Sequence, residues 1–208
     1  MYKHEKIICT SCLFHLPKTG FSDMANNPVS EIFAGRVNLH SASAYLFFRK
    51  TGSVQKLIHR LKYKGDKEVG EYLSKLFGEE LMKSPLFSTA TCVIPVPLHP
   101  KKLKKRGYNQ AEVVADGIAA GMGICVNCKT LVRATFTETQ TRKARFNRWQ
   151  NVEGIFQIKS PEELENQHVI LCDDVVTTGS TLEACVNALQ QIRNIKVSIA
   201  SLAVASNI

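Results

Sequence analysis

The run from Val169 to Thr181, VILCDDVVTTGST, constrains this chain more than any other stretch: an apolar, β-prone segment ends in two adjacent carboxylates, then turns through hydroxyls and a glycine. His168 to Cys172 suits a strand covered on both faces, as in a parallel sheet. Asp173 and Asp174 then fall at its carboxyl end, where open α/β sheets hold their ligands. Carboxylates paired there can accept hydrogen bonds from two ribose hydroxyls, or hold a divalent ion directly or through water. Val175, Val176, Thr177, Thr178, Gly179, Ser180 and Thr181 follow, and bring backbone N–H groups and hydroxyls to the start of an amphipathic run, Leu182 to Leu189. A helix start of that kind is a ready anion site, and a glycine lets the backbone approach a phosphate closely. An apolar run ending in Asp-Asp also suits a nucleotide-hydrolysing enzyme. No G-x-x-x-x-G-K-[ST] occurs in the chain, which removes that reading. Any one of these residues would fit an ordinary βα turn with a capping hydroxyl; the ordered string points to a sugar phosphate.

The rest of the chain supplies a setting for that motif. Ser43 to Arg49 and Thr91 to Pro97 read as strands, Val54 to Tyr63, Asp66 to Leu81 and Asn109 to Gly121 as helices, and Lys196 to Ala205 as a closing strand. Shorter strand material is expected at 123–126, 130–133 and 152–158. Alternation of this kind predicts an α/β fold with a mainly parallel, doubly wound sheet flanked by helices. Residues 1–40 lack periodicity and read as a small N-terminal accessory extension, which leaves 41–208 as the main domain.

Charge and cysteine usage narrow the class. The net charge of +9, from 27 basic against 18 acidic residues, favours polyanionic partners. Its densest run, Lys101-Lys102-Leu103-Lys104-Lys105-Arg106, follows the Pro95–Pro100 segment and is expected to be a rigid basic loop. Seven scattered cysteines argue for reduced thiols rather than a disulfide framework. Cys9 and Cys12 have the spacing of a zinc half-site, which Cys125 and Cys128 could complete in space; Cys92, Cys172 and Cys185 read as core packing. No apolar run reaches membrane-spanning length and no signal-peptide core is present, so a cytoplasmic protein is expected.

The motifs together carry a resemblance. VILCDDVVTTGST is similar to the signature of type I phosphoribosyltransferases. The segment Pro95-Val96-Pro97-Leu98-His99 with Arg106-Gly107-Tyr108-Asn109-Gln110 resembles the ComF family, phosphoribosyltransferase-like proteins related to GntX and tied to bacterial DNA uptake. Leu61 to Gly65 and Thr139-Gln140-Thr141 fall in the same order. The resemblance implies the type I phosphoribosyltransferase fold, with phosphoribosyl pyrophosphate as ligand and magnesium as cofactor. It gives Asp173 and Asp174 the ribose, 175–181 the 5′-phosphate, and Pro97, His99, Lys101, Lys105 and Arg106 the pyrophosphate. Arg142, Arg145 and Arg148 would belong to a lid that closes over the ligand. It also implies an N-terminal zinc finger, of which only the Cys9–Cys12 pair precedes the core.

Three functions remain open on these residues. The first is a phosphoribosyl transferase, for which no hood over an acceptor base is identifiable. The second is a competence factor that binds single-stranded DNA, for which Lys62-Tyr63-Lys64, Arg145-Phe146 and Arg148-Trp149 supply interleaved cations and aromatics. The third is a regulator that binds phosphoribosyl pyrophosphate without turnover.

Overall fold

The computed structural model describes residues 7–49, 52–63, 65–134 and 155–205. Strands β1 (Ser41–Phe48), β2 (Cys92–Pro95), β3 (Cys125–Val126), β6 (His168–Val176) and β7 (Lys196–Ala205) form a five-stranded sheet in the order β1-β7-β6-β2-β3. Every pairing in it is parallel. β4 (Leu131–Arg133) and β5 (Phe156–Ile158) make a separate antiparallel pair. The closing strand expected from the sequence is therefore β7, and it lies inside the sheet between β1 and β6.

Both faces of the sheet are covered, which is why its strands read as continuous apolar runs. On one face lie α3 (Ser53–Tyr63), α4 (Lys67–Leu81) and α6 (Gln110–Met122), which bury Leu61, Leu73, Phe77 and Ile118 against Ile170 and Leu202. α4 and α6 cross at backbone contact: a Cβ on Gly78 would stand 2.3 Å from the Ile118 carbonyl oxygen, and one on Gly121 2.3 Å from that of Lys75. The other face carries α2 (Pro28–Phe33) and α7 (Ser180–Leu189), which pack Val29, Phe33, Leu182 and Leu189 on Leu171 and Ile199. Burial of such side chains contributes about 1.5–3 kcal/mol each.

The N-terminal extension corrects an expectation. Instead of standing apart, its residues Phe21, Val29 and Phe33 belong to the core beneath the sheet. Asn27 caps α2 by accepting from the Val29 and Ser30 amides, and Pro28 at the first helical position presets the turn. The Thr19 amide donates to the Tyr45 carbonyl and the Phe47 amide to that of Pro17, so this segment also covers the exposed edge of β1.

The basic run is a second correction. Residues expected as a loop form the helix α5 (Pro100–Arg106). His99 caps it, Pro100 opens it, and its last turn is basic, where cations complement the helix dipole. Gly107, at φ +79°, ends it. Cys125 and Cys128 lie exposed at the sheet edge. Cys92, Cys172 and Cys185 are buried as expected, and burial first, then the neighbouring Cys125, pushes the Cys92 thiol up to about 12.

Candidate functional site

Sheet order decides where a ligand can sit. From β6 the chain turns through α7 to β7 on one side; from β2 it turns through α6 to β3 on the other. The boundary between β6 and β2 is thus the topological switch point, and open α/β sheets bind ligands at the carboxyl ends of the strands there. A crevice of about 540 Å³ opens at that place. Lys62, Lys102, Arg106 and Arg133 line it together with Asp173 and Asp174, so cations outnumber carboxylates at its walls.

β6 runs through Val176, paired to β7 as far as Val204, so the two aspartates lie within the strand rather than after it. Neighbouring strand residues point to opposite faces. Asp174, only 6% exposed, turns toward α3, where its Oδ2 stands 2.8 Å from the Lys62 ammonium. Asp173 instead borders the loop that follows the strand, and its Oδ1 accepts the Asp174 amide at 2.8 Å. Burial, and then the adjoining Asp174 carboxylate, push Asp173 up to about 7, while its bond to the Asp174 amide, Lys62 and Arg106 pull the other way.

That arrangement does not suit magnesium bound directly by both carboxylates. The ion takes oxygen ligands at about 2.0–2.1 Å in an octahedron. Lys62 already places a cation on Asp174 Oδ2, and Asp173 Oδ1 is engaged by an amide.

Beside the crevice, Asp173, residues 175–181 and Leu182 line a polar cup of about 50 Å³. Gly179 stands at its turn with φ +75°, immediately before α7. A Cβ there would lie 2.8 Å from Ile32 Cγ2 and Phe33 Cε1, so α2 presses on the loop from behind. Arg36 holds the same loop: it donates to the Thr178 carbonyl at 2.9 Å and pairs with Glu183 of α7. Thr177, Thr178, Ser180 and Thr181 are exposed, whereas Val176 is buried and Val175 half-buried.

The other expected residues divide. Pro97 and Arg106 line the crevice, with Arg106 oriented by the 2.6 Å hydrogen bond that it donates to Gln110 Oε1. His99 turns to its capping role, accepting the Lys101 amide at 3.1 Å, and neither it nor Lys101 is at the crevice wall. Lys105 faces an adjoining basic cavity of about 370 Å³, which Lys62, Lys102, Arg106 and Tyr108 share. Arg142, Arg145 and Arg148 lie outside the described residues. Cys9 and Cys12 sit at the start of α1 (Thr10–Phe14), where Cys9 Sγ accepts the Cys12 amide. Among the described residues no three metal-binding side chains gather, so the pair at Cys125 and Cys128 does not join them as a zinc site.

Several residues at the site have no place among the sugar-phosphate residues expected from sequence, although Lys62 belongs to the Lys62-Tyr63-Lys64 run noted there. Gln55, Ile58, His59 and Lys62 follow one stripe of α3 and all reach the crevice. Their spacing of three and four was a usable signal, since it places polar groups on one helix face beside the apolar one. Arg133 enters from β4, 5.3 Å over the Phe156 ring, and Arg36 comes from the N-terminal segment; no local pattern marks either.

A family model described as the phosphoribosyl transferase domain matches residues 105–207. DNA utilization protein YhgH of Salmonella typhimurium is 29% identical over 129 residues, which cover 61% of this chain and 56% of that protein. This chain thus spans little more than half of that relative's length. Competence protein F of Haemophilus influenzae is 28% identical over 71% of this chain and 66% of its own. Competence protein ComFC of Bacillus subtilis is 28% identical over 91% of this chain and 80% of its own. Among solved structures, glutamine phosphoribosylpyrophosphate amidotransferase of B. subtilis aligns with a TM-score of 0.46 at 17% identity, over 68% of this chain and 30% of that one. With the parallel sheet, the signature strand and these relatives in view, the chain carries a phosphoribosyl transferase domain over residues 105–207 and is similar to the competence proteins F and ComFC.

Proposed function

We propose that this protein binds phosphoribosyl pyrophosphate, or a closely related sugar phosphate, at the β6–β2 crevice, in the service of DNA uptake. The observation that carries the reading is the junction of cup and crevice, because Asp173, Val175, Thr177 and Thr181 line both. A 5′-phosphate in the cup would meet the amides that open α7, and the ribose hydroxyls would fall to Asp173. A pyrophosphate would then extend toward Lys102 and Arg106. Cations there favour its departure as the ribosyl carbon gains oxocarbenium character. Titration calorimetry with phosphoribosyl pyrophosphate tests this: the Asp173→Asn, Thr177→Ala double variant should bind about a hundredfold more weakly, from two lost polar contacts. Equal affinity in the variant would sink the reading. Pyrophosphate release on addition of candidate bases separates a transferase from a receptor.

The basic cavity beside α5 supports a second reading, in which the same protein binds single-stranded DNA. Neutralisation of phosphates by Lys62, Lys102, Lys105 and Arg106 would release about four counterions, for a slope of log affinity on log salt near −3. Affinity for an oligonucleotide that is absent or insensitive to salt would remove this reading.

A further inference from the structure

Resting on the sugar-phosphate reading above, we propose that Lys62 supplies from within the chain the positive charge that a divalent ion would otherwise bring to the acidic pair, so that the crevice takes its ligand without a metal bridging the carboxylates. Three observations converge on this side chain. Its ammonium lies 2.8 Å from Asp174 Oδ2, and that carboxylate is nearly closed to solvent. A carboxylate so enclosed requires a partner of opposite charge. Second, the backbone beneath Lys62 is held in place. Leu61 is 1% exposed, its carbonyl accepts the Tyr108 hydroxyl, and the Lys67 ammonium covers the Tyr108 ring at 4.7 Å. Third, Lys62 borders both the crevice and the adjoining basic cavity. An ammonium has three donors; one serves Asp174, which leaves two for ligand oxygens.

A divalent ion on Asp174 would have to expel this ammonium or bear its repulsion at contact distance. Lys62 therefore sets which cations the crevice accepts, and it acts as a ligand-binding residue in the metal's stead.

The test uses the whole chain and two readouts. Calorimetry with phosphoribosyl pyrophosphate should give wild-type affinities in EDTA and in magnesium that agree within about threefold, whereas Lys62→Met loses about thirtyfold in EDTA and recovers it with magnesium. Without any sugar phosphate, Mn²⁺ titration followed by electron paramagnetic resonance should show Lys62→Met binding the ion at least about tenfold more tightly than wild type. A wild type that binds phosphoribosyl pyrophosphate only with magnesium overturns the proposal, and so does a variant with no gain for Mn²⁺. If neither protein binds phosphoribosyl pyrophosphate under any condition, the sugar-phosphate reading fails, and the Mn²⁺ comparison still decides what Lys62 does. Should Lys62→Met not fold, Lys62→Gln keeps a hydrogen-bond donor without the charge and carries both comparisons.

Discussion

Replacement of Gly179 by alanine is expected to destabilise the protein by about 2–4 kcal/mol and to weaken sugar-phosphate binding at least about a hundredfold. Two effects add here. A residue with a Cβ is strained at φ +75°, which costs about 1 kcal/mol. The new methyl would also stand 2.8 Å from Ile32 Cγ2 and Phe33 Cε1, and Phe33 is fully buried, so α2 or the loop must move. A shift of the loop turns the amides that open α7 away from the cup, which is why affinity falls with stability. Urea denaturation and calorimetry with phosphoribosyl pyrophosphate check the two effects separately. Thr178→Ala is the control: its side chain is exposed and its only described side-chain bond is to Ser180, so stability should change by less than about 0.5 kcal/mol. A Gly179→Ala protein as stable as wild type would show that α2 does not pack behind the Gly179 loop as described.

Acidification from pH 7 to pH 4 should remove about 2–3 kcal/mol through His168 alone. Its side chain is buried at the opposite end of β6 from the aspartates. Nδ1 bonds Thr89 Oγ1 at 2.7 Å and Nε2 bonds Ser198 Oγ at 2.8 Å, and Ser198 passes the network on to Ser41. Burial first, then the neighbouring His40 and Lys196, lower His168 to about 4. The folded state consequently binds fewer protons than the unfolded one between the ordinary value of 6.5 and about 4. Stability is full above 6.5 and is lost as pH falls through that window. The hydroxyl partners can turn to accept from an imidazolium, which keeps the loss below what burial by itself would impose. His168→Gln should flatten the slope of stability on pH across this window while leaving phosphoribosyl pyrophosphate binding at neutral pH unchanged. An unaltered slope in the variant would assign the pH dependence to other groups.

Legibility in the sequence followed the range of the interactions involved. The β6 strand, the acidic pair, the turn at Gly179 and the start of α7 are contiguous, and each step obeys a local rule: apolar run, carboxylates in the last pleats of the strand, glycine at positive φ, helix. Helices α3, α4 and α6 were equally legible, because each repeats apolar residues at three and four on the face it buries. The basic run reads as a loop in the sequence for an instructive reason. With Leu103 as its one large apolar side chain it shows no apolar periodicity, and the capping by His99 and Pro100 with Gly107 at the far end is what makes seven residues helical. The N-terminal segment hides its core role because α2 is only six residues long, so its one buried i, i+4 pair, Val29 and Phe33, is too short a repeat to declare a core face.

By itself the chain determined the motif, its strand and its helix, since those depend on neighbours in sequence and on dihedral preferences that travel with each residue. Only the tertiary structure decided that β6 lies beside β2, that α2 backs the loop at Gly179, and that Lys62 reaches Asp174 from 112 positions away in the chain. Those pairings are set by which apolar faces can be buried together, and a balance of burial across the whole sheet leaves no mark on any single stretch of residues.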